Sequence, residues 1–436
     1  MLCQEQYNRK TMKILVIGSG GREHALCGAF KRSTQTTQIF CANGNGGIGE
    51  ISSLVDTKPD EIKKLADFAE NEKIDLTFVG GETSLALGVV DEFEKRNLKI
   101  VGVSAKAAQL EASKAFAKDF MRRHNVPTAK YETANSPEEA IKILESGKFG
   151  DENAPVVVKA DGLAAGKGVV VAQNRIEAID AIKDLSSGAL ISQEAAAKIV
   201  LEECLFGREV SLLVFSDGKN FALMPPARDH KRIGEGDTGA NTGGMGVITD
   251  KNLLSDAQLG EIIEKIVKPT LEGAEKDGFP FRGILFLGLM MTESGAKTLE
   301  YNVRFGDPET QAVLIRLETD FVDICNAIGD QTLDKIEIKW KEGSSACVIL
   351  AAENYPNKPK TGDEISGIEE AKKTENTFIF HAGTRKDENG NFTTAGGRVL
   401  AVTATGDNLE ESLKSAYRAV EKISWKGMQF RRDIGK

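Results

Sequence analysis

The sequence predicts a multidomain chain of the α/β and α+β classes: an N-terminal doubly wound parallel sheet, a central part entered through a β-hairpin, and a smaller β-rich C-terminal domain. Three observations predict it. From Lys13, strand, glycine turn, helix and strand follow in alternation (KILVIGSGGREHALCGAF, TTQIFCAN, DLTFVG, KIVGV) over residues 12–105. Residues 156–172, VVVKADGLAAGKGVVVA, are two β-branched runs around a glycine- and alanine-rich tip. The last hundred or so residues carry turn signals (NYPNKPKTGD, KDENGNFTTAGG) between short β-branched runs.

The stretch 106–124, KAAQLEASKAFAKDFMRRH, has helical spacing and is closed by Pro127. A length of 436 residues suits about three domains, each with room for a core. A formal net charge of −9 argues against nonspecific binding to nucleic acid or to an anionic membrane. No apolar run approaches a membrane span; GILFLGLMM (283–291) reads as a buried strand. The start, MLCQEQYNRKTMK, lacks the apolar core of a signal peptide, and Met12 stands directly before the first strand. Residues 1–11 therefore read as an extension or an upstream start. The six cysteines show no CxxC spacing and read as reduced thiols of a cytoplasmic protein.

In the hairpin, small residues add little to a core but let backbone N–H groups approach a ligand closely. Lys159 ends one strand and Lys167 stands between Gly166 and Gly168, an arrangement suited to covering a polyphosphate. An ordinary hairpin with a flexible tip is the alternative. A Walker-type loop is excluded: Gly162 to Gly166 is one residue too short, and a strand rather than a helix follows.

IGSGGREHA (17–25) follows a strand and opens a helix, the setting for anion binding at a helix N-terminus. Glu23 occupies the third glycine position of a dinucleotide fingerprint, and QIFCAN ends without an acidic residue for a cofactor ribose. Both argue against a dehydrogenase and leave a phosphate-bearing substrate or a plain tight turn. Asn45, in the turn after the second strand, falls on the same sheet edge.

In IVLEECLFGREVSL (199–212), Glu202 and Glu203 close an apolar strand and Glu209 lies in the next. These are either a solvated strand end or acceptors for an adenine amino group and ribose hydroxyls. TLEYNVRFGDPETQ (298–311) is sharper. Alternation puts Leu299, Tyr301, Val303 and Phe305 on one face and Glu300, Asn302 and Arg304 on the other. A carboxylate and a carboxamide in a row suit Mg²⁺, which keeps waters and takes further ligands from phosphates. The arginine beside them suits a transferring phosphoryl group. ARDHKRIGEGDTGANTGGMG (227–246) is a surface loop or a substrate-closing one.

Together these stretches resemble the ATP-grasp superfamily and, within it, the phosphoribosylamine–glycine ligase (glycinamide ribonucleotide synthetase) family. The resemblance runs from about Met12 to Gly435 and rests on VIGSGGREHAL, LEASKAFAKDFM, VVKADGLAAGKGV, the DHKR and DTGANTGGMG loop, EYNVRFGDPETQ, HAGT (381–384) and GGRVLAVTA (396–404). It implies an ATP-grasp fold with a substrate domain over 12–112, an ATP-grasp domain over 113–330 (lid about 125–200, central part about 201–330) and a C-terminal domain over 331–436. The implied activity is ATP-dependent amide formation through glycyl phosphate in purine biosynthesis, by a cytoplasmic monomer.

By matching motifs, Lys114 and Lys159 would hold ATP phosphates under the Gly166–Lys167–Gly168 loop. Glu202, Glu203, the backbone around Cys204 and Leu205, and Glu209 would hold adenosine. Glu300 and Asn302 would bind Mg²⁺ or Mn²⁺, with Arg304 and Lys159 acting on the phosphoryl group. Gly20, Gly21, Arg22, Glu23, His24, Asn45, Glu82, Asp229, Lys231, Asp237, Asn241, Asp307 and Glu309 would line the glycine and phosphoribosylamine sites.

The chain departs from the family pattern in VGGETSL (79–85), at Ala240, and in ANGNGG, losing prolines beside the expected substrate sites. A catalytically silent nucleotide binder would lack Glu300, Asn302 or Arg304, and all three are present. Another ATP-grasp ligase acting on a different carboxylate is the rival within enzymes.

Overall fold

Hydrophobic strands alternating with helices in the first hundred residues build the sheet expected of them. The computed structural model describes residues 11–163, 168–187 and 198–436. Strands β1 (Met12–Gly18), β2 (Thr36–Asn43), β3 (Ser53–Val55), β4 (Leu76–Val79) and β5 (Ile100–Val101) lie in the order 3-2-1-4-5, all parallel. Ile14, Leu15, Val16 and Ile17 are all fully buried, as a strand covered by helices on both faces requires. The carboxyl ends of β1, β2 and β4 lead into Gly20, Asn45 and Glu82, the edge at which such sheets bind ligands.

The helical stretch expected over 106–124 is two helices, Ala105–Ala112 and Lys114–Arg123. Ser113 breaks it: its backbone is extended, and its hydroxyl accepts from the Phe116 N–H at 3.1 Å, capping the second helix. The same hydroxyl meets Asp161 at 3.1 Å, which ties the break to the hairpin.

The hairpin belongs to a four-stranded antiparallel sheet, β6 (Tyr131–Ala134), β7 (Val156–Ala160), β8 (Val169–Ala172) and β9 (Ile199–Glu203), ordered β6-β9-β7-β8. Helices Pro137–Glu145 and Arg175–Ser186 pack on it around Leu144, Val158, Ile182 and Leu201, a core separate from the rest.

The remaining strands are β10 (Arg208–Asp217), β11 (Phe221–Leu223), β12 (Ala227–Asp229), β13 (Arg232–Gly234), β14 (Thr238–Asn241), β15 (Gly246–Thr249), β16 (Arg282–Thr292), β17 (Gly295–Asn302), β18 (Ser344–Ala351), β19 (Thr377–His381), β20 (Thr384–Lys386), β21 (Phe392–Thr394) and β22 (Arg398–Gly406). Nine of them form one sheet in the order β17-β16-β10-β12-β15-β18-β22-β19, with β11 on β10. The C-terminal strands β18, β22 and β19 thus extend the central sheet, through antiparallel pairing of Val247 with Cys347, while β20 and β21 pair with each other as a separate two-stranded sheet. GILFLGLMM lies within β16 and is buried almost throughout.

Phe30 and Phe78 of the N-terminal unit pack with Phe305 and Phe321, with Phe30 and Phe321 ring centres 4.8 Å apart and Phe78 and Phe305 6.0 Å apart. That cluster fixes the segment after β17 against the N-terminal sheet. Among the described residues no helix is long and apolar enough to cross a membrane, and Cys27, Cys41, Cys204, Cys325 and Cys347 are free thiols.

Candidate active site

Lys159, near the end of β7, and Glu202, on β9, project from neighbouring strands of the hairpin sheet and meet in a buried cluster. The Lys159 ammonium lies 2.7 Å from one Glu202 oxygen, and Lys118 lies 2.7 Å from the other. Lys118 also donates to Thr128 Oγ1 at 2.7 Å. Burial, and then the neighbouring Lys159, push Lys118 down to about 8. Lys114 donates to the Gly162 carbonyl at 2.8 Å, and the Ala160 N–H donates to that of Gly168 at 2.8 Å. Gly166 and Lys167 lie outside the described residues.

By strand alternation Glu203 points away from Glu202. It accepts from the Lys130 N–H at 3.0 Å and from Lys297 at 3.2 Å. Cys204 and Leu205 follow β9 half-buried, while Phe206 is 73% exposed. Glu209 lies on β10 and pairs with Lys231 at 2.9 Å.

Glu300 and Asn302 close β17. The expected alternation holds from Tyr301 onward, both Tyr301 and Val303 being buried, but a bulge at Leu299 interrupts the ladder before it. A bulge leaves its extra residue unpaired, and here the Leu299 carbonyl accepts from Lys159 at 3.3 Å. Gly288 of β16 stands opposite Glu300, and a Cβ there would lie 3.1 Å from Glu300 Cγ. The glycine leaves the room that the carboxylate fills.

Burial pushes the Glu300 carboxyl up, but Lys231, Lys159, Lys114 and Arg304 together hold it below the usual carboxylate range. Its oxygens make no hydrogen bond among the described residues, and Asn302 Oδ1 accepts only from Arg304, at 3.2 Å. No group of three or more His, Cys, Asp or Glu is placed to hold a metal among those residues. One ionised carboxylate and one carboxamide, with open valences facing a cationic crevice, fit a Mg²⁺-type ion completed by phosphate oxygens and water.

Arg304 donates to Glu111 at 2.6 Å and to Glu82 at 3.1 Å. Although burial pushes it up, Glu82 is held at about 2 by Arg304 and Arg22. Arg22 reaches the Phe305 carbonyl at 3.1 Å and Glu23 at 2.6 Å. Arg304 and the turn after β1 are therefore linked through charged side chains.

In that turn Gly20 precedes the helix Gly21–Lys31 as its N-cap, and its N–H is taken by the Glu23 carboxylate at 2.6 Å. Gly18 has φ +135° and leaves space for Glu23, since a Cβ there would lie 2.5 Å from Glu23 Cγ. Glu23 thus shapes the turn. His24 accepts from the His381 N–H at 2.8 Å and packs edge-on against Phe380, which joins the helix to β19.

Asn45, expected beside the phosphoribosylamine site, spends its amide on the backbone of this edge. Its Nδ2 donates to the Ser19 and His381 carbonyls, both at 2.8 Å, and its Oδ1 accepts from the Gly47 and Ile48 N–H groups at 3.0 and 2.9 Å.

Asp307 accepts from Gln311 at 2.8 Å and pairs with Arg398 of β22 at 3.2 Å. Burial pushes both Asp229 and Glu309 up; the Glu309 charge adds to the shift of Asp229, while Lys231 and Arg304 oppose that of Glu309, which also accepts from Ser211 at 3.2 Å. Asp237 is drawn away from this group: it accepts from the buried Arg431 at 2.7 Å. Asn241 lies in the β13–β14 hairpin, opposite Arg232.

Glu111, Lys118 and Arg398 escaped the sequence reading. The first two fall at core spacing in their helices, beside Ala107 and Ala108 and beside Ala117 and Met121. A charged residue on a buried stripe is the signal that could have marked them.

A four-stranded sheet carrying the hairpin, a larger antiparallel sheet beside it, and buried lysines together with a carboxylate–carboxamide–arginine row define a nucleotide-dependent ligase of the ATP-grasp class. The biotin carboxylase domain of the Hydrogenobacter thermophilus 2-oxoglutarate carboxylase, solved with MgADP and bicarbonate, shares this fold at a TM-score of 0.73 and 17% identity, over 97% of this chain and 92% of that one.

Within the class, the phosphoribosylglycinamide synthetase N, ATP-grasp (A) and C domain models match residues 12–111, 112–310 and 345–436, and the chain belongs to this family. A phosphoribosylamine–glycine ligase from Caldanaerobacter subterraneus is 43% identical over 423 residues, covering 97% of this chain and 99% of that protein. One from Ralstonia nicotianae is 44% identical over 425 residues, with 97% and 99% covered. The crystal structure of a phosphoribosylamine–glycine ligase from Thermotoga maritima superposes with a TM-score of 0.83 at 33% identity, covering 97% of this chain and all of that one.

Proposed function

We infer that the chain is an ATP-dependent ligase that joins glycine to 5-phosphoribosylamine, giving glycinamide ribonucleotide, ADP and phosphate in the second step of de novo purine synthesis. The observation that carries this reading is the convergence of Lys114, Lys159, Lys231 and Arg304 on the Glu300 carboxylate. Such a crevice suits polyphosphate, and the family membership specifies which ligation it serves.

A glycine carboxylate oxygen attacks the γ-phosphorus of ATP, the bond to the bridging oxygen breaks, and ADP leaves. The amine of phosphoribosylamine then attacks the acyl carbon of glycyl phosphate. The C–O bond to phosphate breaks, and the nitrogen loses a proton. Lys114 and Lys159 neutralise the polyphosphate, and Arg304 stabilises charge on the transferring group. Glu300 and Asn302 hold Mg²⁺ or Mn²⁺, and that ion supplies further charge neutralisation on the phosphates when bound.

Glu202, Glu203, the backbone of Cys204 and Leu205, and Glu209 grip adenosine. The turn at Gly20, Gly21 and Arg22, shaped by Glu23, His24 and Asn45, receives the phosphoribosyl phosphate. Glu82, Asp229, Lys231, Asp307 and Glu309 face the acceptor and glycine. Asp237 and Asn241 belong to the loop above them. The working units are 12–112, 113–330 and 331–436, in a cytoplasmic monomer.

The test is ADP release with glycine and phosphoribosylamine each omitted in turn. Release that requires both supports this ligase. Release indifferent to glycine points to another carboxylate substrate.

A further inference from the structure

Glu111 spends both carboxylate oxygens on one short segment of chain. One accepts from Arg304 Nη2 at 2.6 Å, and the other accepts from the backbone N–H of Val303 at 2.8 Å. Its side chain is only 7% exposed, and it makes no other hydrogen bond among the described residues. Glu111 stands on the helix Ala105–Ala112, and after the break at Ser113 the next residue is Lys114, whose charge reaches Glu300.

We propose that Glu111 is the positioning residue of the phosphoryl-transfer arginine, gripping the guanidinium of Arg304 and the backbone N–H of the residue before it so that the arginine is aligned with Asn302 and Glu300 before substrates bind.

The physical case rests on cost and on leverage. A buried carboxylate is retained only where its partners compensate the loss of water, and both partners here are the segment that ends in the arginine. Burial pushes Glu111 up to about 7, and Arg304 is the strongest pull in the other direction. An arginine side chain is otherwise flexible, and a misplacement of about 1 Å at a reacting centre costs on the order of 10²-fold in rate. Glu82 meets Arg304 at Nε and Glu111 meets it at Nη2, so the two carboxylates hold different nitrogens of one guanidinium. The backbone bond to Val303 distinguishes Glu111, because it also sets the exit of β17 beyond Asn302.

This proposal rests on the ligase reading, in which Arg304 acts on the phosphoryl group, and a double-mutant cycle separates the two. Glu111→Gln keeps the shape and an acceptor but removes the charge. It is expected to lower kcat about 10-fold, leave KM for ATP within twofold, and leave the thermal midpoint nearly unchanged. Glu111→Asp, which keeps the charge on a shorter arm, is expected to recover part of the loss, and it serves if the glutamine variant folds poorly. In an Arg304→Ala background, itself slowed at least 10²-fold, Glu111→Gln is expected to cost nothing further. Wild-type kcat in Glu111→Gln, or an equal loss with and without Arg304, overturns the positioning role while leaving the ligase reading intact. Wild-type turnover in Arg304→Ala overturns both.

Discussion

Lys159 and Glu202 form a buried ion pair at 2.7 Å that Lys118 completes from the other side, also at 2.7 Å. One carboxylate thus holds two ammonium groups. Lys159→Ala leaves Glu202 compensated by Lys118, so the fold should survive. The catalytic loss should be about 3 kcal/mol, the scale of removing one preorganised donor. Steady-state kcat/KM for ATP measures it, and near wild-type turnover would remove Lys159 from the phosphate site.

Glu202→Ala should behave in the opposite way. It leaves Lys118 and Lys159 buried without their shared counter-charge, a situation that costs about 3–5 kcal/mol in other proteins. Urea unfolding should show a loss of that order, larger than for Lys159→Ala. Equal unfolding midpoints for the two variants would mean that water relaxes the site.

Gly288 offers a test of the metal assignment that leaves Glu300 itself in place. A Cβ at 288 meets Glu300 Cγ at 3.1 Å, so Gly288→Ala should push the carboxylate off its position. The half-saturating Mg²⁺ concentration should rise several-fold, as in Glu300→Gln, with little change in thermal stability. An unchanged magnesium titration in both variants would count against Glu300 as a ligand.

What could be read ahead of the structure depended on how local each contact is. The N-terminal sheet was legible because β1 is a continuous apolar run followed by a glycine turn. The Glu300–Asn302–Arg304 row was legible because a strand has period two. The bulge at Leu299 was not, since it arises in pairing with β16. Glu111 and Arg304 lie 193 residues apart, and Lys118 and Glu202 lie 84 apart, so neither pair leaves a local pattern. Dense turns mark a C-terminal β-rich domain, but they do not say which sheet its strands β18, β22 and β19 join. Only the pairing of β15 with β18 reveals that they extend the central sheet. Asn45 was correctly placed at the sheet edge, but its four backbone partners come from three different segments.

Those four bonds change what Asn45→Ala should do. Buried backbone groups that lose a partner cost about 1–3 kcal/mol each, less wherever water reaches them. The variant should therefore lose on the order of 2 kcal/mol of stability, together with any rise in KM for phosphoribosylamine. Urea unfolding and substrate kinetics on the same preparation separate the effects. A raised KM at unchanged stability would restore direct contact with substrate as the role of Asn45.

The contact between His24 and His381 makes a prediction about acid. Burial holds His24 at about 4 and His381 at about 3, below the usual value near 6.5. Lys372 adds to both shifts, His24 and Lys386 lower His381 further, and Glu50 partly opposes the shift of His24. Between about pH 6.5 and 4 the unfolded chain therefore binds protons that the folded chain refuses, and stability falls as pH is lowered through that window. From pH 7 to 5 the loss is about 2 kcal/mol per histidine on those values. Buried carboxyls with raised values, Glu111 among them, act with the opposite sign, so the informative quantity is a difference between variants. His24→Asn retains an acceptor for the His381 N–H without a titrating ring. Urea unfolding of the two proteins at pH 7, 6 and 5 should show a shallower fall for the variant, by about 2 kcal/mol at pH 5. Parallel pH profiles would mean that water protonates His24 in the folded protein, and that the bond between this helix and β19 is open in solution.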